Sequence, residues 1–438
     1  MLFRQFVDED LGCGSYLIGD PASGEAVVVD PAFTIEQYVD AAAEAGVEIR
    51  RVLETHTHAD HLSGHGRFAL EHGLPVSIHS LAEPEYPFAP LADGDVLHVG
   101  SLRVRVVHTP GHRPEHCAFV LDDEQVVLTG DSLFVGDAAR PDLAVAAREG
   151  ARDLFHSLAR LSRLDDAVQV YPGHVAGSLC GTAMSPDHSS TIGRERTTNP
   201  ALGFDDEQEF VLETSSVSTP RPPTTERVVA LNRGPWVALP ALPQEIAAAG
   251  VGTVLDVRPF VAHAAGHLPG ALSVPVSGSS FGTKATFVVD AGEPIVLHAS
   301  SPEEANEAAW KLWAVGALDV AGYVLHADTT ETLATVDVKE LKRLLDEGHV
   351  QHVDVREASE RDLEYIPGSR NIPYRLLRSA GSESLDATRP VVTICEAGPR
   401  AAIAASLLQS KGFDARPVVD GGIPDFDGET VSFRRCGT

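Results

Sequence analysis

Three imidazoles and one carboxylate lie within six residues of this chain, in the run HTHADH at 56–61. Imidazole and carboxylate groups together are typical ligands of zinc, iron and manganese. A polar turn has no folding reason to concentrate such groups, although a turn that is rich in histidine by chance is the alternative. The short apolar-leaning stretch before it is interpreted as the strand that delivers these side chains. The sequence therefore predicts a metal site that includes His56, His58, Asp60 and His61.

Three further metal-competent side chains, His112, Asp131 and His174, follow predicted strands in turns that contain glycine. Loops at strand ends are where rigid scaffolds place binding and catalytic groups. Each of the three could by itself be an ordinary polar residue in a turn. Their joint occurrence after the 56–61 run favours one shared metal site. The strands concerned are expected at 102–107, 125–129 and 168–171, and helices at 35–45, 65–72 and 152–164.

The composition indicates a globular protein with a large excess of acidic residues. At 438 residues the chain is too long for one ordinary core, so two or three domains are expected. The formal net charge of -29 argues against nonspecific binding to nucleic acid or to an anionic membrane. No apolar run of the sequence is long enough to span a bilayer, and the first residues do not read as a signal peptide. Five scattered cysteines, an odd number, argue against a disulfide framework and favour a cytoplasmic location.

An internal repeat follows a linker in the second half of the chain. Residues 214–223 read TSSVSTPRPP, a composition typical of linkers. Beyond it, VLDVR at 254–258 matches HVDVR at 352–356, and later Pro-Gly pairs recur at the same distance from Asp256 and Asp354. This gapless agreement indicates a duplication, and strands that alternate with helices predict a parallel α/β sheet in each copy. Domains are expected at 1–225, 226–330 and 331–438.

The second copy carries a cysteine where a predicted strand turns into a helix. The run VVTI at 391–394 leads directly into CEAGPR at 395–400. Backbone N–H groups and the helix dipole at such a turn favour a thiolate and hold anionic sulfur. The first copy reads IVLHAS at the corresponding 295–300, and no cysteine occurs between Gly181 and Ile394. The first copy therefore cannot perform thiolate chemistry, whereas a buried inert cysteine is the alternative reading of Cys395.

The histidine and aspartate pattern of the N-terminal half resembles the metallo-β-lactamase fold superfamily. The resemblance implies an αββα sandwich with two metal positions. The first position would take His56, His58 and His112. The second would take Asp60, His61 and His174, with Asp131 between the two. All ligands of the two-metal version are present, so a dinuclear zinc hydrolase such as a glyoxalase-II-like thioesterase remains an alternative.

A finer resemblance concerns the run TGDSLFVGDAARPDL at 129–143, which is similar to the persulfide dioxygenase branch of that superfamily. The resemblance implies one Fe(II) per chain, held by His56, His112 and Asp131 as two imidazoles and one carboxylate. The groups that would orient these ligands are His58, Asp60, His61 and His174. Arg140 resembles the residue that binds the carboxylate of a thiol cosubstrate.

The residues after His174 depart from the glutathione-using enzymes, which have a tyrosine there. The run GSLCG at 177–181 instead resembles bacterial dioxygenase–rhodanese fusions. It implies that Cys180 is a thiol near the iron, with a small buried apolar side chain as the alternative. The carrier thiol therefore stays open.

The repeated copies resemble the rhodanese sulfurtransferase family, through Asp-Val-Arg, the later Pro-Gly pair and the loop at 395–400. The resemblance implies that Cys395 carries a persulfide and that Arg400 binds an anionic substrate. The intervening substrate-binding loop would be Glu396, Ala397, Gly398 and Pro399. Glu396 adds negative charge and Pro399 lacks one N–H donor, so efficient use of thiosulfate is not expected.

These features together predict an α/β protein, with an N-terminal αββα metallo-β-lactamase sandwich followed by two rhodanese-like parallel α/β domains. The expected activity is Fe(II)-dependent oxidation of a thiol persulfide by dioxygen to sulfite and thiol, with sulfur transfer and thiosulfate formation at Cys395. A homo-oligomer is compatible with the sequence. One rival is a dinuclear hydrolase with two Zn and a sulfur-carrying appendage. Another treats the tandem rhodanese region as a non-catalytic interaction module.

Overall fold

The computed structural model describes residues 1–121, 125–142, 144–175, 184–216, 221–290, 292–326 and 328–433. The chain divides into two compact units. The first unit contains Met1–Pro240 with Trp313–Gly316, and the second contains Ala241–Leu312 with Ala317–Thr438. In the described ranges, no helix combines the length and the apolar character that crossing a membrane requires.

Two six-stranded sheets form the centre of the first unit. The first sheet contains, in this order, β1 (Leu2–Asp8), β2 (Cys13–Asp20), β3 (Glu25–Val29), β4 (Glu48–Leu53), β5 (Val76–His79) and β6 (Ala89–Leu91). Strands β1 to β3 are antiparallel, and β3 to β6 are parallel. The carboxyl ends of β3 and β4 therefore meet at one edge of the sheet.

The second sheet begins with β7 (Val96–Val99), β8 (Leu102–His108), β9 (Cys117–Leu121) and β10 (Val126–Gly130). A small hairpin follows, formed by β11 (Leu133–Phe134) and β12 (Asp137–Ala138). The strands β13 (Gln169–Pro172) and β14 (Ser190–Thr191) complete the sheet, whose order is β14-β13-β10-β9-β8-β7. Because β10 and β13 are parallel, the residues that follow them lie at the same edge.

Helices cover the outer face of each sheet. The first sheet is covered by α1 (Glu36–Ala45) and α2 (His65–His72), and the second by α3 (Ala147–Leu161), α4 (Ile192–Thr198) and α5 (Glu207–Ser216). The helix α6 (Thr225–Arg233) lies near the end of the unit's first segment. Short 3₁₀ turns lie at Ser80–Ala82, Pro200–Leu202, Tyr374–Leu376, Ser382–Ser384 and Ile423–Asp425.

The alternating side chains of β2 connect the first sheet both to the second sheet and to the helices on its outer face. Successive side chains of a strand point to opposite faces of its sheet. Ile18 packs in the core between the two sheets, together with Val106 and Phe119 of the second sheet. The neighbouring Leu17 packs in the core beneath α1 and α2, together with Phe68. The resulting helix–sheet–sheet–helix order confirms the predicted αββα sandwich.

The second unit contains two four-stranded parallel sheets of the same topology. The first copy has the strand order β16-β15-β17-β18, formed by β15 (Thr253–Asp256), β16 (Leu272–Ser273), β17 (Ile295–His298) and β18 (Val320–Val324). Its helices are α7 (Phe260–Ala265), α8 (Phe281–Thr286) and α9 (Pro302–Ala314).

The second copy repeats this order as β20-β19-β21-β22, with β19 (Gln351–Asp354), β20 (Arg370–Asn371), β21 (Val391–Ile394) and β22 (Ala415–Pro417). Its helices are α10 (Val338–Asp346), α11 (Ala358–Leu363) and α12 (Pro399–Ser410). Asp256 pairs with His298, and Asp354 pairs with Ile394, in matching register. The two copies therefore confirm the duplicated parallel α/β fold, whereas the predicted boundaries at 225/226 and 330/331 stay predictions.

Candidate functional site

Asp30 and Thr55 set the orientation of the first histidine. Asp30 follows β3, and its carboxylate accepts the backbone N–H of Thr55 at 2.7 Å and the Thr55 hydroxyl at 2.8 Å. Because that hydroxyl donates to Asp30, its oxygen accepts the Nδ1–H of His56 at 2.9 Å. The tautomer of His56 therefore has an unprotonated Nε2.

His112 and Asp131 complete the first cluster with His56. The Nδ1–H of His112 donates to the backbone oxygen of Arg140 at 3.2 Å, which leaves its Nε2 unprotonated as well. The Oδ2 atom of Asp131 lies 3.4 Å from Nε2 of His112 and 3.9 Å from Nε2 of His56. All three side chains are buried, and one ligand atom of each lies within 4.8 Å of the others.

The protonation states of this first cluster suit a cation. Burial lowers the pKa of both His56 and His112 below the ordinary value. Burial by itself raises the pKa of Asp131, but His174 and His112 hold it below the usual range. Among the described residues, neither Nε2 of His56 nor Oδ2 of Asp131 has a hydrogen-bond partner. Neutral imidazoles and a carboxylate whose ligand atoms lie within 4.8 Å of one another fit a divalent metal.

His116, which was not predicted from the sequence, holds the backbone of Asp131. Its Nε2 accepts the backbone N–H of Asp131 at 2.8 Å, and its Nδ1 lies 2.8 Å from the Thr109 hydroxyl. Burial lowers the pKa of His116 to about 3, so the ring is neutral and able to accept. Only its position four residues after His112 could have suggested the role.

A second cluster contains Cys13, Asp60, His61 and His174, whose ligand atoms lie within 4.8 Å of one another. The Sγ atom of Cys13 lies 3.3 Å from Nε2 of His174, 3.4 Å from Nδ1 of His61 and 3.5 Å from Oδ2 of Asp60. The Nδ1 atom of His174 lies 2.7 Å from Oδ1 of Asp131, which links the two clusters. Asp60, His61 and His174 were predicted from the sequence as one group, whereas Cys13 was not.

His58 lies in a third buried group, together with Asp30 and Glu54. Its Nε2 lies 3.3 Å from Asp30 and 3.1 Å from Glu54. Burial opposes protonation, but hydrogen bonds to these two carboxylates raise the pKa of His58 well above its usual value. The structure therefore groups His58 with two anchoring carboxylates, while its buried Nδ1 has no hydrogen-bond partner among the described residues.

A residue of α6 fastens the loop that carries these histidines. The side-chain amide of Asn232 donates to the backbone oxygens of His58 at 3.0 Å and of His61 at 2.8 Å. Its side-chain oxygen accepts the backbone N–H of Ser63 at 3.0 Å. Asn232 is buried, so these bonds are shielded from water. The position of α6 thus helps to fix the conformation of the loop from His58 to Ser63.

Arg140 and Cys180 were both predicted to bind substrate, and the structure describes only Arg140. The guanidinium of Arg140 forms a two-point ion pair with Asp142, at 2.7 and 2.9 Å. Arg221 also contacts Asp142. Binding of a substrate carboxylate by Arg140 therefore stays a prediction and would require competition with Asp142. Cys180 lies outside the described residues.

The loop at 395–400 places one backbone N–H donor against the thiol of Cys395. Cys395 follows β21, is buried, and its Sγ accepts the backbone N–H of Gly398 at 3.1 Å. Gly398 has φ of 100°, a conformation that glycine adopts without strain. Pro399 begins α12, where the missing N–H costs nothing to the helix but removes one donor to the loop. Ala397 lies between Glu396 and Gly398 in the same turn.

Arg400 is held beside this loop by Glu360. Its guanidinium donates to the two carboxylate oxygens of Glu360 at 2.6 and 2.7 Å, and it lies 3.7 Å from Glu396. Burial opposes the charge of Arg400, but Glu360 raises its pKa further above the usual value. The predicted anion-binding charge is therefore present and already shared with a carboxylate.

The first copy has Ala299 at the position of Cys395. The backbone N–H of Val257 donates to His298, and that of Val355 donates to Ile394, in the same register. The following residues are Ala299 and Cys395. Without a thiol at this position, the first copy cannot carry sulfur covalently.

Asn232→Asp should weaken metal retention in the first unit by about 10–100-fold, because groups that orient metal ligands contribute on that scale. Aspartate keeps the shape of the side chain but cannot donate to His58 and His61. Metal content after dialysis against graded chelator measures the effect. The exposed Glu226→Gln on the same helix is the matched control. Equal retention in both variants would contradict this role of Asn232.

Family models match both halves of the chain. The metallo-beta-lactamase superfamily matches residues 9–174, and the rhodanese-like domain matches residues 240–326 and 337–429. The chain is 34% identical over 233 residues to the uncharacterized protein ML0493 of Mycobacterium leprae, covering 46% of this chain and 99% of that protein. It is 30% identical over 235 residues to the mitochondrial persulfide dioxygenase ETHE1 of Bos taurus, covering 53% of this chain and 87% of that protein.

A solved structure extends the similarity. A metallo-beta-lactamase from Staphylococcus aureus is 29% identical, with a TM-score of 0.69, and the match covers 74% of this chain and 98% of that one. The two family matches agree with the αββα unit and the duplicated parallel sheets described above. The chain therefore belongs to the metallo-beta-lactamase superfamily, with an N-terminal region homologous to the ETHE1 persulfide dioxygenases and two rhodanese-like domains after it.

Proposed function

We propose that the first unit is a persulfide dioxygenase that holds one Fe(II) at His56, His112 and Asp131. The observation that carries this proposal is the buried set of two imidazoles and one carboxylate, whose ligand atoms lie within 4.8 Å of one another. Two histidines and one carboxylate are the ligand set of non-haem Fe(II) oxygenases, which keeps positions open for dioxygen and substrate. Homology to ETHE1 supports the same activity.

The proposed reaction converts a thiol persulfide, dioxygen and water into thiol and sulfite. The bond between the two sulfur atoms breaks, the terminal sulfur loses four electrons, and dioxygen accepts them. Bound iron would supply the redox centre at which both substrates meet. Thr55 and the Arg140 backbone oxygen hold the ligand tautomers, and His174 holds Asp131 in place. The fixed ligand geometry is the contribution of the chain itself.

A dinuclear zinc hydrolase is the second candidate, and the complete second cluster favours it. Asp60, His61 and His174 are all buried or partly buried and close together, so nothing in their geometry prevents a second ion. The two candidates differ in the metal of the first cluster and in the consumption of dioxygen.

For the C-terminal copy, we propose sulfur transfer through Cys395. Its thiolate would attack the terminal sulfur of a persulfide donor, so that a new sulfur–sulfur bond forms on Cys395 and the donor leaves as a thiol. Transfer of that sulfur to sulfite would give thiosulfate and restore the thiolate. The Gly398 N–H and the start of α12 support stabilisation of anionic sulfur at this place. A cytoplasmic location and a homo-oligomeric state remain expectations from the sequence.

Protein from iron-sufficient cells should contain about one iron per chain at the first cluster. His112→Ala should lose that iron because it removes a direct ligand. His174→Ala should retain measurable iron, because His174 acts on Asp131 by orientation. Elemental analysis of the three proteins measures this. Two zinc ions per chain with thioester hydrolysis would defeat the iron proposal, and equal loss of iron in both variants would defeat the assignment of ligands.

Cys395→Ser should abolish sulfur transfer and leave persulfide-dependent oxygen uptake largely intact, so that sulfite accumulates in place of thiosulfate. Arg400→Ala should raise the KM of anionic donors and keep the thiol. Mass spectrometry after exposure to a sulfur donor locates the added sulfur. Unchanged thiosulfate formation by Cys395→Ser would contradict the division of roles. Normal sulfur transfer without Cys395 would favour the view of this region as an interaction module.

A further inference from the structure

The resemblance already assigns a second metal position to Asp60, His61 and His174, and we propose that Cys13 is its fourth ligand, whose thiolate makes the position selective for zinc. Zinc is bound in proteins by combinations of cysteine, histidine and carboxylate, most often with four ligands. Thiolate ligands favour zinc over the harder divalent ions. This inference does not depend on the activity proposed above. It adds Cys13, which nothing in the spacing of the 56–61 run indicates.

The fold brings Cys13 to His174 through the backbone. Cys13 and His174 form an isolated antiparallel bridge, between the first residue of β2 and the turn after β13. The N–H of Gly14 donates to Gly173 at 2.6 Å, and the N–H of Val175 donates to Gly12 at 2.8 Å. A Cβ atom on Gly14 would lie 2.9 Å from the Pro172 backbone oxygen, so the close approach requires glycine. The thiol position is therefore fixed by main-chain contacts.

The distances agree with the edges of a zinc tetrahedron. Bonds of about 2.3 Å to sulfur and about 2.0–2.1 Å to nitrogen, at tetrahedral angles, separate sulfur from nitrogen by about 3.5 Å. The Sγ atom of Cys13 lies 3.3 and 3.4 Å from the nearest nitrogens of His174 and His61, and 3.5 Å from Asp60. The oxygen of Asp60 and the Nε2 atom of His174 lie 2.8 Å apart, so this pair would have to separate slightly to accept the ion.

His174 is prepared for this role by its second nitrogen. Its Nδ1 lies 2.7 Å from Oδ1 of Asp131, the pattern by which carboxylates orient metal-binding histidines. Its Nε2 then faces Oδ2 of Asp60 at 2.8 Å and the thiol of Cys13. A cation between these three atoms could accept a lone pair from each of them. The side chain of Asp60 is 27% exposed, which provides an entry path for the ion.

Cobalt(II) is the probe that reports the thiolate directly. Metal-free wild-type protein, titrated with Co(II) without oxygen, should develop a sulfur-to-cobalt charge-transfer band. Cys13→Ala should lose that band while keeping cobalt bound at the first cluster. Cys117→Ala is the matched control, because Cys117 is also a buried thiol of the same unit, with its Sγ near the Glu115 backbone oxygen. It should keep the full band.

Zinc-edge X-ray absorption of the full-length, zinc-loaded wild type tests the same claim without any substitution. One sulfur neighbour at about 2.3 Å is expected for the zinc at this second position. A persistent charge-transfer band in Cys13→Ala, or wild-type zinc without a sulfur neighbour, would overturn the inference. Failure of the iron proposal can be distinguished from failure of this inference. If zinc occupies both positions, one of the two zinc ions should still have a sulfur ligand, and Cys13→Ala should remove it.

Discussion

One buried carboxylate, that of Asp131, connects the two metal-competent clusters of the first unit. Its Oδ1 lies 2.7 Å from Nδ1 of His174, while its Oδ2 faces His56 and His112. A buried charge is stable only when it is compensated, and the imidazoles of His56 and His112 are held neutral by burial. His174 compensates the Oδ1 side of Asp131, and a cation between its Oδ2 and the two neutral imidazoles would compensate the other side, so metal binding and the stability of the site would be coupled.

Two glycine turns and one pair of parallel strands fix the position of the Asp131 carboxylate. Asp131 follows Gly130, whose φ of 49° lies in the left-handed region and turns the chain at the end of β10. A Cβ atom on Gly173 would lie 2.5 Å from Oδ1 of Asp131, so this residue must be glycine for His174 to approach. Parallel pairing of β10 with β13 brings the two turns to one edge. The glycines that looked like turn markers in the sequence thus have a steric role.

The sequence was sufficient for features that depend on local pattern. Helix α2 was predicted at its observed bounds, and the duplication around Asp256 and Asp354 gave two copies of one sheet order. Helix α3 begins at Ala147, earlier than the predicted residue 152. The prediction missed this start because Ala146 provides no side-chain cap that would mark it. Its predicted end included Leu164, which packs on the same core from the turn after the helix.

Contacts between residues far apart in the chain could not be predicted from the sequence. Cys13 lies 47 residues before Asp60, and Asn232 lies 171 residues after His61, so no local spacing could associate them. His58 was expected either as a ligand of the first metal position or as a group that orients the iron ligands, and only the fold reveals the two carboxylates, Asp30 and Glu54, near its Nε2. The types of ligand were therefore predictable, whereas their grouping required the tertiary structure.

Oxygen uptake that depends on persulfide, by the intact chain loaded anaerobically with Fe(II), is the decisive measurement of the proposed activity. An oxygen electrode would follow several thiol persulfides, with the corresponding thiols and a thioester as controls on the same protein. Uptake should require both iron and persulfide, and one sulfite, free or converted into thiosulfate, should form for each dioxygen consumed. Absence of uptake with every persulfide, together with thioester hydrolysis that requires zinc, would contradict it.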